Sequence, residues 1–139
     1  MYLEDVDLGW RCRLLGYRAI FVPEARVRHR YQGSSRRRGR AFVDTNLRIN
    51  RVAMLLRNAS LTMLLRTALH SGLDLAMVLA TQGPRPLLGL ARRIPAAWRE
   101  RLEIGRRAHC NRRSVERTWF QALPRSAPDA DVAGGTAGP

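Results

Sequence analysis

The sequence predicts a chain with an α/β segment over residues 1–45, a mostly α-helical extension over residues 46–123 and a disordered tail over residues 124–139. The α/β prediction rests on a short β-branched and aromatic run before Pro23 and on a run of alternating character after it. The helical prediction rests on Asn46–Thr81, which is free of Pro and has leucine and methionine clusters at helical spacing. The tail consists of Ala, Gly, Pro, Asp and Thr without periodicity, and it therefore lacks the material for a core.

A short helix is predicted at the start of the chain, from Asp5 to Leu15. Carboxylates in its first turn suit the positive end of the helix dipole. Gly16 follows, and glycine readily takes the left-handed conformation that ends a helix. We expect Leu8, Cys12 and Leu15 to share the apolar face of this helix.

Two short strands and a loop are predicted next. Arg18–Val22 is β-branched and aromatic and stops at Pro23, whereas Ala25–His29 alternates small or apolar with polar residues. Residues 32–40 have the Gly, Ser and Arg content of an exposed loop. Its Arg36-Arg37-Arg38 run is either solvated or in contact with phosphates or lipid headgroups.

The helical extension is amphipathic. Four polar residues recur at every fourth position and should line one stripe of a helix, with leucines and methionines around them: Thr62, Arg66, His70 and Asp74. No run of about 18 apolar residues is free of charge, so the pattern favours a helix that lies on a core or on a membrane surface over one that spans a bilayer. Gly83–Pro86 ends this region, and a basic stretch with Trp98 and Trp119 follows.

The charge of the chain is strongly positive. The chain has 25 Lys and Arg residues, all of them Arg, and 11 Asp and Glu residues, so its net charge is +14. Such a surface attracts nucleic acid, anionic membrane or phosphate-bearing substrates. Because aromatic residues do not interleave with the arginines in an RNA-binding pattern and no recognised DNA-binding motif occurs, we expect an anionic membrane surface and no nucleic acid.

The cellular location follows from two further features. Cys12 and Cys110 lie far apart in segments predicted to be helical, which favours free thiols and a reducing compartment. The chain opens with carboxylates where a signal peptide would have a basic and then an apolar region. We therefore expect a cytoplasmic protein, peripheral to the inner face of the plasma membrane.

One stretch of sequence carries a family signature. Residues 4–17 have the form E-D-x-D-L-x-x-R-x-x-x-x-G-Y, residues 22–29 read V-P-x-A-x-V-x-H, and Gly33-Ser34-Ser35 follows. This order resembles the second half of the catalytic domain of family 2 glycosyltransferases, particularly the rhamnosyltransferase-like members. The resemblance covers about the first third of the chain and implies the carboxyl-terminal part of a GT-A catalytic domain.

The resemblance implies roles for five residues. Asp5 matches the general base that takes the proton from the acceptor hydroxyl, so that an in-line displacement inverts the anomeric centre. Glu4 would orient or tune that carboxylate. Asp7, Trp10 and Arg11 fall where the family lines the acceptor and diphosphate side, and a guanidinium suits bidentate contact with phosphate.

The resemblance also implies a metal and substrates. His29 matches the histidine that joins the aspartates of a D-x-D motif around a divalent metal, Mg²⁺ or Mn²⁺, on the diphosphate of a nucleotide-sugar donor. The acceptor would be a cell-envelope glycan or a polyprenyl-linked molecule. The 139 residues hold neither a Rossmann-like donor-binding half nor a D-x-D ahead of the motif, because Asp129-Ala130-Asp131 lies in the predicted tail. We therefore expect a fragment that is inactive alone.

A second class of function is compatible with the composition. Without its flanking residues, a carboxylate cluster at the start of a helix indicates only capping and compensation of the dipole. In that case the chain would be a non-enzymatic basic module that binds nucleic acid or anionic lipid through its arginines.

Overall fold

The computed structural model describes residues 2–20, 22–27 and 39–120. The described residues form five α-helices, whose bounds are α1 Glu4–Leu14, α2 Gly39–Asn58, α3 Leu61–Gln82, α4 Arg85–Arg107 and α5 Arg112–Phe120. The Arg36-Arg37-Arg38 run and the predicted tail lie outside the described residues.

The α/β prediction for the amino-terminal segment is wrong, because residues 2–20, 22–27 and 39–120 contain no strand or sheet. The two predicted strands are irregular where they are described, and Ala25 N donates to Val22 O across 3.1 Å in a turn. A two-stranded hairpin is only marginally stable in water, and the described helices offer no sheet edge for it to join. The side chains here consequently stay in solvent, with Val27 87% exposed.

The short amino-terminal helix is confirmed as α1, within one residue of its predicted bounds. Gly16 has a φ of 85°, the left-handed conformation expected of it. Gly16 N donates to Arg13 O across 3.1 Å, and Tyr17 N donates to Cys12 O across 2.9 Å. This pair of hydrogen bonds is a Schellman motif, which satisfies carbonyls at the end of the helix.

The predicted apolar face of α1 is wrong. Leu8 is 55% exposed, and the buried residues of the helix are Asp7, Trp10 and Leu14. The indole of Trp10 packs against that of Trp119, with 5.5 Å between ring centroids and an angle of 53° between planes. An indole has much more surface to remove from water than a leucine, so it determines which face of the helix turns inward.

The long apolar region forms two helices, in agreement with its predicted type. The first, α2, begins at Gly39 and not near Asn46. Ser60 divides it from α3, because its Oγ accepts a hydrogen bond from Met63 N across 3.2 Å and so caps the new helix. The second ends before Gly83, which has a φ of 73° and stands where the break was predicted.

The basic stretch after this break forms two helices, α4 and α5. Asn111 Oδ1 accepts from Arg113 N across 2.8 Å and so caps the start of α5. In the connection before it, His109 N and Cys110 N donate to Leu14 O across 3.0 and 3.1 Å. The connection between α4 and α5 is therefore held to the end of α1 by backbone hydrogen bonds.

The buried apolar side chains form two clusters, and α2 contributes to both. The first joins α1, α2, α4, α5 and the connection between α2 and α3, and consists of Trp10, Leu14, Met54, Leu55, Ala59, Ile104 and Val115. The second joins α2, α3 and α4, and consists of Ile49, Val52, Ala53, Val78 and Leu90. Helix α2 thus packs against α1, α3 and α4, whereas α5 packs against α1.

Candidate functional site

The first turn of α1 presents two carboxylates to solvent. Glu4 and Asp5 are both exposed, and Asp5 Oδ1 accepts a hydrogen bond from Val6 N across 2.8 Å. A carboxylate in this position is accessible to a substrate hydroxyl, which a general base must reach within hydrogen-bond distance. The geometry is therefore compatible with the role that the family resemblance implies for Asp5.

Asp7 is held inside the protein. It is 8% exposed, and its Oδ1 accepts from Asn58 Nδ2 across 2.6 Å. Its Oδ2 accepts from Arg57 Nη1 across 2.7 Å and lies 3.2 Å from Arg11 Nη2. Both carboxylate oxygens are thus engaged by protein groups, so Asp7 attaches α1 to the end of α2.

A small cavity lies between α1, α2 and α4. Its polar lining includes Glu4, Asp7, Asn50, Arg57 and Arg93, and its volume is about 180 Å³. Small-molecule sites usually measure at least about 300 Å³, so this cavity by itself does not enclose a nucleotide sugar. Of the two residues predicted to be catalytic, the structure places Glu4 on this cavity, and the base candidate is not among the described residues that line it.

Trp10 and Arg11, predicted on the acceptor side, take part in packing. Trp10 is 3% exposed in the first core cluster, and Arg11 forms the ion pair with Asp7. The structure therefore brings Asp7, Trp10 and Arg11 together on α1 as groups that hold this helix against the rest of the protein. Their contact with an acceptor stays a prediction.

The predicted metal ligand His29 lies outside the described residues. Within residues 2–20, 22–27 and 39–120, no group of three or more His, Cys, Asp or Glu side chains could hold a metal ion. The Asp7 carboxylate is already surrounded by cationic and amide donors, which compete with a metal for its oxygens. The described residues therefore do not fit a divalent metal, and Mg²⁺ or Mn²⁺ binding stays a prediction.

Sequence reasoning missed a buried polar corner where α2 ends and α3 begins. Two arginines cap the end of α2: Arg101 Nη1 donates to Leu56 O and Ala59 O across 2.9 and 2.7 Å, and Arg112 Nε donates to Asn58 O across 3.2 Å. Burial lowers the pKa of both arginines, and for Arg112 the neighbouring charge of Arg101 lowers the pKa further. Nothing in the sequence distinguishes Arg101 and Arg112 from the other arginines of the chain.

Glu116 of α5 completes this corner from the other side. Its Oε1 accepts from Ser60 N across 2.6 Å and its Oε2 from Ser60 Oγ across 2.7 Å. Its negative charge raises the pKa of Arg101 and Arg112 against the effect of their burial. A serine directly before an apolar run is a known sign of a helix start, so the position of Ser60 was available from the sequence.

Helix α3 carries a row of exposed apolar side chains. Five large residues, each separated from the next by four positions, have 51–78% of their surface in solvent. This leucine face consists of Leu61, Leu65, Leu69, Leu73 and Met77. By length and composition, α3 is the one helix among the described residues that could cross a membrane.

The polar stripe predicted on α3 follows the leucine face one residue further along the chain and reaches α2 at Asp74. Both rows have a spacing of four residues, which turns about 40° per step, so both wind around the helix. The first members of the stripe, Thr62 and Arg66, lie near the exposed side, and its last, Asp74, is buried. Asp74 forms ion pairs with Arg48 and Arg51 of α2. The inward side of α3 is thus attached to α2 through the charge of Asp74, and its outward side carries the leucine face beside the exposed Arg66 and His70.

Comparison of the chain with protein-family models, with curated proteins and with solved structures found no match. The resemblance to family 2 glycosyltransferases therefore rests on the residues that carry it in this sequence.

Proposed function

We propose that the described helices bind the surface of an anionic membrane through the leucine face of α3. The observation that carries this proposal is the exposure of that face, where Leu65 and Leu69 each have 78% of their surface in solvent. A helix on the surface of a soluble protein normally turns such a row toward the core. Here the row is turned outward, so it is available to a bilayer.

Two energetic terms favour this binding. Burying a leucine side chain that was exposed gains about 2 kcal/mol, and the leucine face offers several. The chain also carries a net charge of +14, and a cation near an anionic leaflet gains about 1 kcal/mol. The second term is screened by salt and the first is not.

The attachment of α3 to α2 favours a position parallel to the membrane surface over a transmembrane one. Asp74 is paired with Arg48 and Arg51, so α2 would have to follow α3 or release it. A charged side chain at the centre of a bilayer costs at least about 2.5 kcal/mol. A surface position leaves these ion pairs intact.

Co-sedimentation with vesicles tests the proposal. We expect the protein to bind vesicles of phosphatidylcholine and phosphatidylglycerol in equal amounts, and to bind phosphatidylcholine alone more weakly. Leu65→Gln/Leu69→Gln should weaken binding by at least about tenfold, since two apolar contacts are lost. The matched control is Ile20→Gln/Val27→Gln, which removes two equally exposed apolar side chains outside α3.

Two outcomes would contradict the proposal. The first is equal loss of binding by both double variants, which would show that α3 has no special part. The second is salt-dependent binding to DNA at micromolar concentration without binding to vesicles, which would favour a basic module for nucleic acid. Circular dichroism of each variant checks that the helices are retained.

We further propose that this unit belongs to an inverting family 2 glycosyltransferase that transfers a sugar from a nucleotide-diphosphate donor to a cell-envelope glycan or a polyprenyl-linked acceptor. The proposal is supported by the ordered motif and by the exposure of Asp5 on α1. Attachment to the cytoplasmic face of the plasma membrane would bring Asp5 close to acceptors carried by lipids. The donor-binding half, and the ligands of any divalent metal, would lie outside the described residues.

The coding DNA directly upstream of Met1 tests this second proposal. We expect it to encode a nucleotide-binding β-α pattern and a D-x-D motif, in frame or frameshifted, and their absence would contradict the proposal. In the protein encoded by the complete gene, Asp5→Asn should abolish sugar transfer while donor binding remains, because only the base is removed. Transfer by this variant at the normal rate would refute the role of Asp5.

A further inference from the structure

A cavity rich in arginine opens between α3 and α5. Its volume is about 500 Å³, within the range of sites that hold small molecules. It is lined by Thr62, Met63, Arg66, Arg113, Glu116 and Arg117. The α1 motif and the small cavity beside it use none of these residues.

The charge available in this cavity is positive. Glu116 is its one acidic lining residue, and both oxygens of that carboxylate accept hydrogen bonds from Ser60. Among the described residues, no ion pair joins Arg66 or Arg117 to a carboxylate. Two guanidinium groups are therefore free to bind an anion, and Arg113 lies beside them with a hydrogen bond to Thr62 Oγ1.

The cavity adjoins the leucine face. Arg66 lines the cavity, follows Leu65 directly and lies one turn before Leu69 on α3. An anion held by Arg66 would thus sit at the edge of an apolar surface. Free phosphate would use only the arginines, whereas an amphiphile would use both the arginines and the leucines.

We infer that this arginine cavity binds the phosphate group of a membrane lipid phosphomonoester, with the acyl chains of that lipid against the leucine face of α3. The inference rests on the membrane binding proposed above and adds a specific headgroup to it. Guanidinium groups bind phosphate oxygens through paired, charge-assisted hydrogen bonds. A phosphomonoester carries more than one negative charge near neutral pH, whereas a diester carries one, so several arginines favour the monoester.

Vesicle binding at matched surface charge tests the inference. One set of vesicles contains phosphatidylcholine with phosphatidic acid, and the other contains phosphatidylcholine with enough phosphatidylglycerol to give the same zeta potential. We expect about tenfold tighter binding to phosphatidic acid, the effect of roughly one charge-assisted hydrogen bond. Arg66→Gln/Arg117→Gln should remove this preference.

The matched control is Arg40→Gln/Arg85→Gln. It removes the same charge from two exposed arginines at the start of α2 and of α4. The starts of α2 and α4 line another cavity together with the end of α3. The arginine cavity instead lies at the start of α3. We expect this control to weaken binding to both kinds of vesicle equally and to keep the preference for phosphatidic acid.

The results separate this inference from the membrane proposal. Absence of binding to every vesicle would overturn both. Equal binding to phosphatidic acid and phosphatidylglycerol, or loss of the preference in the control as well, would overturn the headgroup site and leave membrane binding intact. Calorimetry with inorganic phosphate tests the source: binding as tight as that of phosphatidic acid vesicles would overturn the assignment to a lipid.

Discussion

The side-chain amide of Asn58, the last residue of α2, donates to Oδ1 of Asp7 in α1 across 2.6 Å, and both residues are buried. The second oxygen of Asp7 accepts from Arg57. This contact fixes the orientation of α1, whose first turn carries Glu4 and Asp5. The three carboxylates of the E-D-x-D motif thus divide into an exposed pair, Glu4 and Asp5, and a buried anchor, Asp7.

This division predicts opposite behaviour of two aspartates in unfolding experiments. Asp7→Asn removes the charge that pairs with Arg57 and Arg11, while Arg57 keeps its ion pair with Glu100, so the free energy of unfolding should fall by about 2 kcal/mol. Asp5→Asn changes an exposed side chain and should stay within about 0.5 kcal/mol of the unmodified protein. Urea unfolding measures both, and equal stability of the two variants would contradict the anchoring role of Asp7.

The contact between Ser60 and Glu116 predicts energetic coupling. Ser60→Ala removes a helix cap and should cost about 1 kcal/mol, and Glu116→Gln should cost about 2 kcal/mol because the buried corner loses a charged acceptor. Since the two side chains touch, the double variant should lose less than the sum. Additive losses in a double-mutant cycle would show that the contact is not formed.

Glu103→Gln serves as the control for this cycle. Glu103 forms an exposed ion pair with Arg107 one turn further along α4. Exposed pairs of this kind contribute only about 0.5 kcal/mol. The substitution should therefore change stability little and should not couple to Ser60→Ala.

Gly9 within α1 and Gly16 just after its end should respond to alanine with opposite changes in stability. Gly16 has a φ of 85°, and a Cβ there would lie 3.2 Å from His109 Cβ, so Gly16→Ala should destabilise the protein by more than about 1 kcal/mol. Gly9 lies inside the helix, with nothing within 4 Å of an added Cβ, so Gly9→Ala should stabilise it by about 0.5–1 kcal/mol. Thermal unfolding compares them directly. A stable Gly16→Ala variant would contradict the Schellman end of α1.

The features that the sequence predicted correctly are those that depend on residues close together in the chain. The helix α1, its Gly16 end and the break at Gly83 follow from residue types that act within one turn. The caps at Ser60 and Asn111 are also local, because each side chain accepts a hydrogen bond from a backbone N–H two or three residues further along the chain.

The wrong predictions concern contacts between distant residues. The β-branched residues before and after Pro23 have strand propensity, but no described strand pairs with them. The buried side of α1 is determined by Trp119 and Asn58, which lie far along the chain. Likewise, the period of α3 indicates two faces, but only the ion pairs of Asp74 with α2 show which of them turns inward.

Those ion pairs predict that alkaline carbonate releases the protein from anionic vesicles. A helix held on α2 by Asp74 lies at the surface, where washing reverses its binding, whereas a transmembrane helix resists extraction. Asp74→Leu removes the one acidic residue of α3 and its attachment to Arg48 and Arg51, so it should increase the fraction that resists extraction. Glu103→Leu, an equivalent change at an exposed position of α4, should be extracted like the unmodified protein. Resistance of the unmodified protein to carbonate would instead indicate that α3 crosses the bilayer.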